Sequence, residues 1–335
     1  MNNVVTIKEG LVSQWNHNIQ DITNNQVLRL NWNIGNTCTY KCSYCPDYLN
    51  NGTIKWVSLE RMIEITDKII ELYKTQYNKN IFIFELTGGE PTVYPYINEF
   101  STYLKSRNIY VQLVTNGSRS LRWWEEYGIN FTSITLSYHV EFTDVDHIIN
   151  VCNLLDSKGI SASVLMIFDP QNYEKVKFDL EYMKSKSNFS IHIRKVENRG
   201  SSVDRSYSYT KEQLEFLESN YLFVPTTRKS IFPKEIQYRT IYIKDNKSNR
   251  VDENTLWNTP QNNFKGWNCY AGIDTLNLDI FGNIIAANCN TLNSNPLGNW
   301  RTDDIDKLIW PKINVVCQDT GCVCVHDIRA RKFKY

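Results

Sequence analysis

Between residues 28 and 222, short apolar runs of strand character alternate with stretches of helical periodicity, and no other feature narrows the fold so far. The strand candidates are LRLNWNIG (28–35), IFIFELTG (81–88), YVQLVTNG (110–117), SITLSYH (133–139), ISASVLMIF (160–168) and FSIHIRKV (189–196). Each ends in a polar or glycine-bearing loop. In the first intervening helix Leu59, Met62, Ile63, Ile69, Ile70 and Tyr73 recur at three- and four-residue spacing, with Ser58 placed to cap. TDVDHIINVCNLLDSKG predicts another, with Thr143 as cap, Asp146 three residues on and Gly159 at its end. Its apolar face carries Val145, Ile148, Ile149, Cys152 and Leu155, so Cys152 is read as core packing. Strands that alternate with helices make a parallel sheet covered by helices. Six β/α units are fewer than the eight of a closed barrel, so the expected class is α/β, a partial (β/α)6 TIM-type barrel open on one side.

After residue 222 the alternation ends. RTIYIKDNKSNRVD predicts a hairpin with a polar turn, the long loop ENTLWNTPQNNFKGWN leads to Cys269, and DTLNLDIFGNIIAANC predicts a second hairpin turning at Phe281, Gly282 and Asn283. The expected organisation is an N-terminal extension (1–27), the barrel (28–222) and a small C-terminal extension (223–335). With 335 residues the chain exceeds the usual domain of about 100–200, which suits one core plus an appendage. Its 37 basic and 36 acidic side chains nearly cancel, so no global field calls for nucleic acid or an anionic membrane. No apolar run approaches the roughly 18 residues of a membrane helix, and MNNVVTIKEG lacks the pattern of a signal peptide. The expected location is cytoplasmic.

Chemistry in such folds gathers at the carboxyl ends of the strands. There the first strand leads into NTCTYKCSYCPDY, the second into TGGEP, the third into TNGS and the fourth into SYHVEF. Nine cysteines fall mainly into two groups: Cys38, Cys42 and Cys45, then Cys269, Cys289, Cys317, Cys322 and Cys324. That clustering suits metal binding in a reducing compartment better than disulfides. Structural zinc sites are typically built from two pairs of ligands, whereas three thiolates in a CxxxCxxC run leave one iron of a 4Fe-4S cube vacant.

The CxxxCxxC spacing with Tyr44 before the third cysteine resembles the radical S-adenosylmethionine (SAM) superfamily. Gly88, Gly89, Glu90 and Pro91 resemble the GGE motif that follows its second strand and binds the SAM amino group. Glycine permits close backbone approach, and a carboxylate offers an acceptor to an ammonium. The resemblance implies that Cys38, Cys42 and Cys45 hold a 4Fe-4S cluster whose open iron chelates SAM. Reductive cleavage then gives methionine and a 5′-deoxyadenosyl radical that abstracts hydrogen from a substrate carbon. Ser137 resembles the position that contacts the SAM ribose or carboxylate, and Asn116 ends the third strand facing the same mouth. His139 is a candidate substrate contact or proton carrier, or a hydrogen-bonded structural histidine. Arg194 offers bidentate binding of a carboxylate, or an ion pair in the barrel.

GWNCYAGIDTLNLDIFGNIIAANC and VVCQDTGCVCVHD resemble the SPASM/twitch extension of these enzymes, which binds auxiliary 4Fe-4S clusters. Five cysteines fit one auxiliary cluster, four suffice for its cube, and the fifth is a candidate hydrogen donor, with Cys317 and Cys324 as the choices. The CQDTGCVC spacing departs from the usual CxxC pairing, and a four-cysteine zinc site needs the same ligands. The expected function is hydrogen abstraction with net oxidation, by dehydrogenation or bond formation, of a sugar or other small metabolite. An external donor such as flavodoxin or ferredoxin supplies the electron. Residues 1–27 are shorter than the winged-helix peptide-binding domain of some peptide-modifying relatives. The alternatives are a radical epimerase or cross-linking enzyme acting on a ribosomal peptide and, in another class, a non-catalytic metal-binding module.

Overall fold

The computed structural model describes residues 26–186, 188–196, 207–224, 240–244, 247–251, 262–289, 295–311, 314–322 and 324–333. Most of the 1–27 extension and residues 253–261 of the long loop before Cys269 lie outside the described residues. Two compact units are formed, one from Trp32–Glu64 and Ile83–Ile231, the other from Met1–Asn31, Ile65–Phe82 and Phe232–Tyr335.

In the first unit the sheet runs in the order β2 (Ile81–Thr87), β3 (Tyr110–Thr115), β4 (Ser133–Tyr138), β5 (Ser161–Phe168), β6 (Ser190–Lys195) and β7 (Leu222–Phe223); β1 (Val27–Asn33), whose residues 27–31 belong to the second unit, precedes them in the chain. Strands β2 to β6 pair in parallel, with Leu113 opposite Ile134 and Val164 opposite Ile191. All six expected strands are present, each within two residues of the expected ends. The period-2 pattern explains their seating: along β5 every second residue, Ala162, Val164, Met166 and Phe168, is buried. The α/β class and the open sheet are thus as the alternation requires; among the described residues the sheet does not close. The short strand β7, which the alternation does not announce, pairs antiparallel with β6 at the edge. Under the sheet, Trp32 packs edge-on against Phe84 and Phe100, with ring centroids 6.4 and 5.6 Å apart.

Helices α1 (Leu59–Tyr77), α2 (Ile97–Ser106), α3 (Leu121–Tyr127), α4 (Val145–Ser157), α5 (Tyr173–Lys186) and α6 (Lys211–Asn220) follow β1 to β6 in turn. Ser58 caps the first as expected, its hydroxyl accepting from Arg61 N at 3.3 Å. The cap of α4 is Asp144 and not Thr143: the Asp144 carboxylate accepts from the backbone of Asp146 and His147. Thr143 is turned the other way, its hydroxyl accepting from His139 N at 3.1 Å. Cys152 is fully buried on the predicted face, and Gly159, at φ +73°, takes the left-handed position after the helix.

In the second unit β1 is followed in sheet order by β11 (Thr275–Leu278), β12 (Asn283–Ile285) and β13 (Gly298–Asn299). Strands β11 and β12 form the expected hairpin, with Leu278 opposite Ile284 and Gly282 at φ +98° in the turn. The other hairpin, β8 (Thr240–Lys244) with β9 (Lys247–Val251), is also present. Strand β10 (Asn268–Cys269) lies between β14 (Val315–Val316) and β15 (Lys332–Phe333), and α7 (Val325–Ile328) precedes β15. None of the described helices is long and apolar enough to cross a membrane.

Buried charge organises this second unit. Asp274, 1% exposed, accepts from Lys79 Nζ at 2.6 Å, and from Arg331 through Nε at 2.5 Å and Nη2 at 2.8 Å. The Arg331 guanidinium also lies over the Tyr270 ring at 4.2 Å. Removing the carboxylate strands the buried Lys79 cation and the partly buried Arg331. Asp274→Ala is therefore expected to lower unfolding free energy by about 3–5 kcal/mol, measured as a fall in denaturation midpoint at unchanged m-value.

Candidate functional site

The cysteine loop is seated by an extension of strand pairing beyond the ends of β1 and β2. Ile34 N donates to Thr87 O at 2.9 Å, Gly89 N to Gly35 O at 2.8 Å and Glu90 N to Thr37 O at 2.7 Å. The paired backbones lie so close that a Cβ on Gly88 would meet Gly35, and one on Gly89 would meet Thr37 and Asn36, inside 3.0 Å. Gly88 also stands at φ +132°. The two glycines are thus demanded by the chain's own cysteine-bearing segment, a reason that the expectation of close approach to a ligand does not contain. Asn36 closes the loop from below: its amide donates to Tyr48 O at 3.0 Å and Asn51 Oδ1 at 2.7 Å, and its oxygen accepts from Ile54 N at 3.1 Å.

Glu90 is 1% exposed and densely hydrogen-bonded. Oε1 accepts from Thr92 N at 3.0 Å, Thr92 Oγ1 at 2.6 Å and Thr115 Oγ1 at 2.7 Å, and Oε2 accepts from Asn116 N at 2.7 Å. Burial pushes the carboxyl up, and these donors work against that push. The carboxylate caps the helical turn that Pro91 begins and ties the end of β2 to the end of β3. Neither Thr92 nor Thr115 is marked by any spacing in the sequence.

Cys42 and Cys45 are brought together by a turn in which Cys45 N donates to Cys42 O at 3.0 Å. Cys38 Sγ accepts from Tyr40 N at 3.4 Å and from Asn116 Nδ2 at 3.7 Å. Burial pushes all three thiols up, Cys42 to about 12 and Cys45 to about 11; repulsion from neighbouring sulfurs adds to the effect at Cys42 and Cys45, and the Glu90 carboxylate adds to it at Cys38. Such thiols become thiolates when a cation compensates them, and metal binding then releases their protons. The donor set therefore fits an iron-sulfur cluster. Among the described residues no group of three or more His, Cys, Asp or Glu side chains is arranged to share a single metal ion. Ligands of a cube need no such arrangement, since each thiolate takes its own iron.

The loop after β4 grips the other side. Tyr44 stacks on His139, centroids 5.9 Å apart at 23°, and its hydroxyl is 2.7 Å from His139 Nδ1. Desolvation holds His139 down to about 4, so the imidazole is neutral at pH 7 and serves Tyr44 as a structural partner. Glu141 accepts from Ser43 N at 2.8 Å and from the Ser43 hydroxyl, and Tyr40 stacks on Phe142 at 5.4 Å. Sequence reading passes over Glu141, whose only signal is its place in SYHVEF. Ser137 is buried near the carboxyl end of β4, in register with Leu165, and Arg194 lies near the carboxyl end of β6, in register with Ile167.

In the other unit one tail cysteine, Cys269, lies in the small sheet around β10, and the other four lie outside its strands. Cys269 lies in β10 opposite Val315 and Lys332, and Cys289 packs against the same cluster of Cys269, Ala271, Ala287 and Ala330. Cys317 N donates to Trp267 O at 2.8 Å, Cys322 N to Asn262 O at 2.8 Å, and Cys324 begins α7. Burial pushes the Cys322 thiol well up, with Cys269 and Cys324 adding repulsion. Asp327, which the sequence does not single out, accepts from Asn288 N at 2.7 Å and Asn277 Nδ2 at 3.0 Å, so it fixes the residue beside Cys289 against the Cys324 helix. None of the nine cysteines is in a disulfide.

Residues 32–183 match the family model of the radical SAM superfamily. No curated protein gives a significant match to the sequence. Among solved structures, native anSMEcpe with bound AdoMet aligns at a TM-score of 0.52 and 16% identity, over 83% of this chain and 80% of that one. SuiB of Streptococcus suis aligns at 0.52 and 13% identity, over 84% and 65%. At these identities the likeness is one of fold.

Glu90→Gln exchanges an acceptor-only carboxylate for an amide that sets its own NH2 against donors. It is expected to cost about 1–3 kcal/mol of stability, read from the denaturation midpoint of the purified protein.

Proposed function

From the match of residues 32–183 to the radical SAM family model, we propose that the chain cleaves S-adenosylmethionine reductively and abstracts hydrogen from a substrate carbon. The supporting observation is the convergence of Cys38, Cys42 and Cys45 on one loop that the Gly88–Pro91 segment, the end of β3 and the loop after β4 all hold. Cys38, Cys42 and Cys45 would hold a 4Fe-4S cluster, and the chemistry such a cluster would supply is the single electron that splits the sulfonium into methionine and a 5′-deoxyadenosyl radical. An external one-electron donor of the flavodoxin or ferredoxin type replaces that electron.

The chain's own residues bind and orient. Desolvated cysteines hold the iron, and the Gly88–Gly89 backbone with Pro91 forms the wall against which the SAM amino group is placed. Among the described residues Glu90 Oε2 takes one protein donor, which leaves it acceptor capacity toward that group. Tyr44, Ser137 and Arg194 are assigned to the adenosine and carboxylate portions, and Tyr44 is held in place by His139. Four of Cys269, Cys289, Cys317, Cys322 and Cys324 are assigned to a second, auxiliary 4Fe-4S cluster in a SPASM/twitch-like module. The common packing of Cys269 and Cys289, and the repulsion that Cys317 and Cys322 each feel from Cys269, support that assignment. A cluster held by those cysteines would take up the electron of the substrate radical, and with a proton lost to solvent the net reaction would be an oxidation. A hydrogen atom returned instead by Cys317 or Cys324 makes it an epimerisation.

A small metabolite is the substrate on the first reading. A peptide is the second, because anSMEcpe, of like fold, also holds a Kp18Cys peptide. Stimulation of 5′-deoxyadenosine release by panels of sugars and of cysteine-containing peptides separates the two.

Replacing Cys38, Cys42 and Cys45 together by alanine is expected to abolish 5′-deoxyadenosine formation, measured by chromatography after anaerobic reconstitution with a strong reductant. Retained cleavage would exclude the site. The same variant is expected to keep about four irons on the tail cysteines, and iron analysis showing none would remove the auxiliary cluster.

A further inference from the structure

Asn116 reads from the sequence as a residue facing the SAM mouth, yet the structure leaves its side chain little to offer a ligand. Its two amide hydrogens have two acceptors, Thr39 Oγ1 at 2.9 Å and Cys38 Sγ at 3.7 Å. Its oxygen accepts from Ser118 N at 3.0 Å. That last bond settles which end of the amide is which: with the oxygen turned to a backbone N–H, the NH2 faces the cysteine loop. The Thr39 and Ser118 hydroxyls, 2.9 Å apart, tie the two loops alongside.

The backbone of Asn116 is held just as firmly. Its N–H donates to the buried Glu90 carboxylate at 2.7 Å, the neighbouring Gly117 takes φ +73° with its N–H on Thr115 Oγ1 at 3.1 Å, and His147 Nε2 lies 3.0 Å from both Gly117 O and Arg119 O. An unbroken chain of contacts thus runs from Glu90 through Asn116 to the sulfur of Cys38.

On the reading of Cys38 as a cluster ligand, we infer that Asn116 is a positioning and tuning residue for that cluster: held by Glu90, its amide donates an N–H···S bond to Cys38 and raises the cluster's reduction potential. The direction follows from charge. Reduction adds an electron that is shared with the thiolate sulfurs, a hydrogen bond to sulfur is stronger in the more negative state, and the bond therefore favours reduction. Glu90 acts on the same atom at one remove, so the carboxylate of the GGEP segment contributes to the cluster as well as to SAM.

The test is a potentiometric titration of the whole reconstituted protein, following the EPR component that shifts when SAM is added, so that the tail cysteines do not contribute. Asn116→Ala is expected to disfavour reduction several-fold, up to about tenfold, which is 59 mV for a one-electron couple. Asn116→Asp keeps the shape, removes the N–H and adds negative charge, and is expected to shift the potential further in the same direction at unchanged iron content. Thr39→Val removes the amide's other acceptor and leaves the sulfur bond, so its potential is expected to stay at the wild-type value. Wild-type potentials in both Asn116 variants, an equal shift in Thr39→Val, or loss of iron from both Asn116 variants would overturn the inference. Wild-type protein that shows no SAM-sensitive component would overturn the proposed function, and this inference with it.

Discussion

A single buried carboxylate sets the terms for the site. Glu90 has almost no contact with water, and an ionised group in that position is stable only if the protein supplies donors to replace the solvent. The donors come from Thr92, Thr115 and the backbone of Asn116, on two loops that follow neighbouring strands. Because a buried carboxylate left short of donors is so costly, the ends of β2 and β3 cannot drift apart without exposing it. The Asn116 amide that reaches Cys38 is placed by that requirement, because its backbone N–H is one of the donors.

The cysteine loop itself has little regular structure to hold it. Its stability is borrowed from three sides: Asn36 below, the β3 loop at Cys38 and Thr39, and the β4 loop through Ser43–Glu141 and Tyr44–His139. A loop so tethered keeps three desolvated thiols near one another even though ionising them together is unfavourable without a cation. Such preorganisation is what a cluster site needs, since a ligand set that must first be assembled binds more weakly.

The unit that holds the tail solves a parallel problem with different groups. Asp274 draws Lys79 and Arg331 to one point, so residues far apart in the chain meet around a buried charge. Asp327 joins the Asn288–Cys289 segment to the helix that begins at Cys324. Both are carboxylates that no motif marks, and both act by the same logic as Glu90.

The strand ends, the helix faces, the burial of Cys152 and both hairpins were legible in the sequence, because periodicity and turn chemistry are local and the backbone obeys them wherever packing agrees. The residues that the cysteine spacing and GGEP single out do stand on facing segments, because the backbone approach at Gly88 and Gly89 admits no side chain. Local pattern could not choose between Thr143 and Asp144 as a cap, as both are good caps and the competing bond from His139 decides. Nor could it show that Gly88 and Gly89 make room for the chain's own backbone, that Asn116 turns to Cys38, or that Glu141 holds Ser43. The sequence by itself determined the period of each element and the residue types of the chemistry. The side-chain meetings at Glu90 and Asp274 join groups 25 to almost 200 positions apart, and those were decided only when the tertiary structure brought them within hydrogen-bond reach.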